Sequence, residues 1–98
     1  MRFEIVLAPE AARHFKTLPA YDRAALRDAF ETHLRHEPAK QSKSRIKRLR
    51  GLSQPQYRLR VNELRVFYDI LDQEVQILAI ISKQEKEAWL KEFGILEP

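Results

Sequence analysis

Three arginines stand at spacings that β structure would gather into a cluster. In Tyr57-Arg-Leu-Arg-Val61 apolar and basic residues alternate, and after Asn62-Glu63 the run Leu64-Arg-Val-Phe-Tyr-Asp-Ile70 alternates again. Successive side chains of a strand point to opposite faces, so Tyr57, Leu59 and Val61 go to one side and Arg58 and Arg60 to the other. If the second run turns back with Val66, Tyr68 and Ile70 toward the same core, Arg65, Phe67, Asp69 and Leu71 join the face of Arg58 and Arg60. Like charges side by side on a sheet reduce stability, which a polyanion would offset. The plainer alternative is a solvated basic face, partly neutralised by Asp69 or Glu63. Guanidinium groups are permanently charged forks that suit phosphate, so the chemistry on offer is electrostatic: gripping a phosphodiester and stabilising negative charge that develops on it.

Arginine is a poor proton carrier, and a reaction at phosphorus needs one. Lys83, just beyond the last apolar run, is the first candidate, because nearby cations favour a neutral amine. Glu85 is the second, although a carboxylate there suits the first turn of a helix without any catalytic role. His33 and His36, three apart, could share a helical face, but two ligands seldom make a metal site and no metal is expected.

The elements that must position these residues follow from periodicity. Arg2 to Leu7 alternates and then turns apolar, as a short strand does. Pro9 opens a helix carrying Ala12, Phe15 and Leu18, closed by Pro19; Ala25, Leu26, Ala29, Phe30, His33 and Leu34 draw a second helical stripe that ends before Glu37-Pro38. The two should form a hairpin. Arg45 to Gly51 could make a brief edge strand, and Tyr57–Val61, Leu64–Leu71 and Val75–Ile81 a meander. Gln84 to Phe93 predicts a last helix with Trp89 as its anchor and Gly94 as a positive-φ stop. The fold class is therefore α+β: an N-terminal strand and helical hairpin packed on an antiparallel sheet of three to four further strands, then a C-terminal helix.

Composition narrows the function classes. The 98 residues carry 18 Lys and Arg against 14 Asp and Glu, a net charge of +4. That is one small basic domain, residues 1–98. Without cysteine there is no disulfide, thiolate metal site or cysteine nucleophile, and two glycines do not make a nucleotide-binding loop. No run is apolar enough to span a bilayer and the start does not resemble a signal peptide, so a cytoplasmic protein without membrane contact is expected. Charge is polarised: from Lys40 to Arg65 nine cations face a single acid, Glu63, a local +8 against −4 for the remainder. Such a face attracts polyanions. Lys43, Arg45, Lys47, Arg48 and Arg50, with Lys86 further on, are candidate contacts to a nucleic-acid backbone such as RNA.

Together, Tyr57-Arg-Leu-Arg-Val61, the two-residue turn, Leu64-Arg-Val-Phe-Tyr-Asp-Ile70 and the apolar strand ending Ala79-Ile-Ile81 resemble the RelE branch of the RelE/ParE toxin superfamily. The opening from Val6 to Pro19 is similar to that family's first strand and helix. The resemblance implies a bacterial toxin of a type II toxin-antitoxin system, neutralised by a cognate antitoxin. It further implies a ribosome-dependent mRNA endoribonuclease that inhibits translation without cofactor or metal, acting on mRNA in the ribosomal A site. The family's catalytic basic residues fall on Arg58, Arg60 and Arg65, with Lys83 or Lys86 for the basic group after the last strand. The family's C-terminal tyrosine has no counterpart, since Trp89 is the only aromatic residue near that position. The alternatives are a non-cleaving toxin, such as a ParE-like inhibitor of DNA gyrase, or a degenerate module that only binds antitoxin.

Overall fold

The computed structural model describes residues 1–98. Strand β1 (Glu4–Leu7) leads into α1 (Pro9–Thr17) and α2 (Ala20–Ala29), with prolines at both helix starts. Proline suits these positions because its missing N–H would have no intrahelical partner. The second helix continues as a wider π turn over Phe30–Leu34, where the Arg35 amide reaches back to the Phe30 carbonyl. Arg35 then ties the helix end to the start of β1: its carbonyl accepts from the Phe3 amide at 2.7 Å, and its Nη1 donates to the Phe3 carbonyl at 3.0 Å.

Five strands follow: β2 (Ile46–Arg48), β3 (Leu52–Gln54), β4 (Tyr57–Val61), β5 (Leu64–Leu71) and β6 (Glu74–Ser82). Helix α3 (Lys86–Phe93) and a short β7 (Ile95–Leu96) complete the chain. The main sheet has the order β1-β6-β5-β4-β2. Its last four strands are antiparallel, while β1 joins β6 in parallel, so the sheet is mixed. The helical hairpin carries the chain from β1 at one edge to β2 at the other, and the antiparallel meander β4-β5-β6 then brings β6 alongside β1 in the same direction. The two-residue turns at Asn62-Glu63 and Asp72-Gln73 place Asn62 and Asp72 at φ 53° and 56°, a region that Asn and Asp tolerate better than most residues.

The helical hairpin covers one sheet face. Ala11, Leu26, Ala29, Phe30 and Leu34 pack there against Leu59, Val61, Val66, Tyr68, Val75, Ile77 and Ile80. Tyr68 is fully buried, stacks on Tyr57 across the strands and donates its hydroxyl to the Pro38 carbonyl at 2.7 Å. Burial holds its phenolic proton far more tightly than usual, reinforced by Tyr57. Tyr68→Phe would leave that carbonyl without its donor. A loss of about 1–2 kcal/mol in urea unfolding is expected.

Two features depart from the sequence reading. A bulge in β6 pairs Phe67 with Ala79 but Tyr68 with Ile77, which shifts the inward set from Val75 and Ile77 to Ile80. Beyond Ile77, where β1 no longer pairs, His14 Nδ1 accepts the Ile80 amide at 3.1 Å. The chain end also differs: Gly94 has φ −68°, not a positive value. Glycine is required there by crowding, since a Cβ would lie 2.5 Å from the Leu90 carbonyl oxygen. The chain then runs on into β7, which pairs with β3 as a small second sheet. No helix is long and apolar enough to cross a membrane.

Candidate nucleic-acid interface

The β4–β5 register sets Arg58 opposite Phe67, Leu59 opposite Val66 and Arg60 directly opposite Arg65. Leu59 and Val66 belong to the core beneath the helices, so the three arginines share the other face, as the alternation predicts. The ion pairs of the chain join Glu10 to His14, Glu31 to Arg35 and Glu37 to Lys40; none involves Arg58, Arg60 or Arg65. Asp69, on the same face, accepts from the Gln54 side-chain amide and the Gln56 backbone amide, both at 2.7 Å, and so neutralises none of them. Burial, and then the charges of Arg65 and Arg60, pull the proton affinity of Arg58 below its usual level; burial and Arg60 do the same to Arg65. Burial is the larger cause in both; the neighbouring guanidinium charges add to it, and at Arg65 the Glu63 carboxylate opposes it without forming an ion pair.

The three arginines differ in freedom. Arg60 is exposed and Arg58 half-buried. Arg65 is only 5% exposed, and its Nη1 donates at 2.9 Å to the carbonyls of both Asn62 and Leu64, stapling the β4–β5 turn. The Nε atoms of Arg58 and Arg65 are buried without a partner. Arg65 therefore contributes charge from a fixed position, whereas Arg60 has the freedom to fork onto a ligand. Beside it Ser44, Arg45, Arg60 and Asn62 line a cleft of about 280 Å³.

The basic connector contributes more to this face than a loop would. Ile46 is buried opposite Leu59, which turns Lys47 outward opposite Arg58, and the Arg60 amide donates to the Arg45 carbonyl at 2.9 Å. Arg45 and Lys47 thus extend the arginine face by one strand. The signal was present in the alternation of Arg45, Ile46 and Lys47, but three residues are too few to assign a strand phase by pattern alone. Arg48 turns the other way: its guanidinium lies 5.2 Å from the centre of the Tyr57 ring, and Nη1 donates to the Gln56 carbonyl. Lys43 and Arg50 are exposed on either side of β2.

Lys83 is exposed just past β6, and its amide donates to the Glu63 carbonyl at 2.8 Å, beside the turn that Arg65 staples. Glu85 accepts from the Ser82 hydroxyl at 2.9 Å and stands just before α3, whose first turn carries Glu87 instead. Lys86 opens α3 and is half-buried.

The remainder of the arginine face is roofed. Phe67 is fully buried beneath Trp89 of α3, with ring centres 5.1 Å apart and planes within 4° of parallel, and Phe93 packs against Trp89 in turn. Trp89 is the anchor expected for the last helix, and its Nε1 is buried without a partner. The aromatic roof and the open cationic strip divide one sheet face. No group of three or more His, Asp and Glu side chains lies close enough to hold a metal ion.

No curated protein matches this sequence. Among solved structures, the chain is similar to one from the RelBE2 toxin-antitoxin complex of Mycobacterium tuberculosis, at 25% identity and TM-score 0.64, covering 84% of this chain and 99% of that one. The archaeal RelE-RelB complex of Pyrococcus horikoshii matches at 22% identity and TM-score 0.64, covering 85% and 97%. The YoeB dimer of Staphylococcus aureus matches at 20% identity and TM-score 0.56, covering 83% and 97%. Residues 5–87 match the family model of the ParE toxin of type II toxin-antitoxin systems, and the chain belongs to that family, within the RelE/ParE superfamily.

Proposed function

We propose that this toxin is a ribosome-dependent mRNA endoribonuclease whose arginine face holds the scissile phosphate. The observation that carries the reading is the set Arg58, Arg60 and Arg65 on one face with no carboxylate paired to any of them. In the proposed reaction the 2′-hydroxyl attacks the adjacent phosphorus, a cyclic phosphate forms and the 5′ oxygen leaves with a proton. Arg60 and Arg58 would grip the non-bridging oxygens, Arg65 would add charge from its fixed position, and Lys83 would move the proton. Lys86 would add positive charge where α3 begins. The solved relatives come from the RelBE2 toxin-antitoxin complex, a RelE-RelB complex and a YoeB dimer, and a cognate antitoxin is the corresponding partner proposed for this chain. A cytoplasmic site of action accompanies this reading.

The matching family model favours a second reading, a gyrase inhibitor of the ParE kind. Primer extension on mRNA from translating ribosomes separates the two. New ends at codons in the A site are expected at growth-arresting doses. Intact mRNA with inhibited supercoiling would replace the first reading with the second, and intact mRNA with normal growth would leave a module that binds antitoxin alone.

A further inference from the structure

Two clefts meet at Arg45. One, of about 280 Å³, lies between Arg45 and Arg60 on the sheet face. The other, of about 380 Å³, lies round the β2 edge and is lined by Thr32, His33, Ser42 and Ser44 together with Arg45. Ser44 and Arg45 line both, so the cationic strip does not stop at the sheet edge. The loop is fixed by Ser42, whose hydroxyl accepts the Arg45 and Ile46 amides at 3.0 and 3.2 Å. The second cleft contains hydroxyl donors and cations; its acid, Glu37, pairs with Lys40 at 3.9 Å. His33 stands at the far end, its proton affinity lowered by burial and then by Arg45, with Asp28 opposing. An anion beside Arg45 would offset that cation's effect on the imidazole.

Resting on the reading of the arginine face as an RNA site, we infer that a bound single strand leaves that face over the β2 edge. Its backbone passes from the Arg60 cleft to the His33 cleft, with Arg45 on an intervening phosphate. Mixed hydroxyl donors and cations suit a phosphodiester backbone, and no Phe, Tyr or Trp lines either cleft to stack bases.

The test uses the full chain and a ten-nucleotide 2′-O-methyl RNA, which binds but lacks the hydroxyl needed for cleavage. Binding is followed against salt concentration for the native protein, Arg45→Ala and Arg60→Ala, and the three histidines are titrated by NMR with and without RNA. The expected results are a log–log salt slope shallower by about 0.7 in Arg45→Ala, the loss of one phosphate contact on a single strand, and a rise in the His33 midpoint that spares His14 and His36. If Arg60→Ala weakens binding while Arg45→Ala keeps the slope and His33 does not move, the path is wrong and the site reading survives. If the native protein binds no RNA, the path falls, while the site reading is decided separately by the mRNA ends on translating ribosomes. A His33 shift produced equally by inorganic phosphate would assign the cleft to a free anion and overturn the path.

Discussion

Arg60→Ala is expected to lower mRNA cleavage on the ribosome by about 100-fold to 1000-fold, the usual loss when one donor to developing negative charge is removed. The folded protein should at the same time keep or gain stability. Arg60 sits directly opposite Arg65 and one alternation from Arg58, with no carboxylate in ion-pair contact with any of them. Relief of a like-charge cross-strand pair is worth roughly 0.2–1 kcal/mol. Cleavage rate and thermal midpoint measured on the same preparation decide the matter. A rate loss matched by a lower midpoint would assign Arg60 to folding rather than to the site. Arg65 is the less informative probe, because its guanidinium also staples the Asn62 and Leu64 carbonyls and its removal would disturb the turn.

Phe67→Ala should destabilise the fold by about 3–5 kcal/mol, the range for deleting a buried aromatic ring. Phe67 lies on the arginine side of the sheet, yet it is fully buried because Trp89 stacks on it. Its loss removes the platform on which α3 rests. Trp89 is the only tryptophan, so its emission reports on that contact directly. A red shift in the native state together with a lower denaturant midpoint is expected. Unchanged emission and a loss below about 1 kcal/mol, well short of the buried-ring range, would show that α3 is held by other contacts, such as the β3–β7 pairing.

Much of this was legible in residue order. Alternation through Tyr57–Val61 and Leu64–Leu71 gave the strand phase, and with it the three arginines on one face, because a strand's side-chain period is two whatever surrounds it. The helical stripes, their proline boundaries and the two-residue turn at Asn62-Glu63 were likewise local properties. The freedom of each arginine was not legible. Nothing in the run Leu64-Arg-Val-Phe marks Arg65 and Phe67 as buried, and both are. Their burial depends on what lies over that face of the sheet. Trp89 of α3 lies over Phe67, and β7, also from the far end of the chain, pairs with β3.

Sequence alone determined the sheet face on which the guanidinium groups emerge, through the geometry of the extended backbone. Tertiary structure decided which of them remain open to a ligand, that Arg45 and Lys47 extend their row, and that Asp69 is held by Gln54 and Gln56 rather than by a cation. The physical reason is range: side-chain direction is set within one or two residues, whereas desolvation and charge pairing depend on whichever distant segment packs alongside.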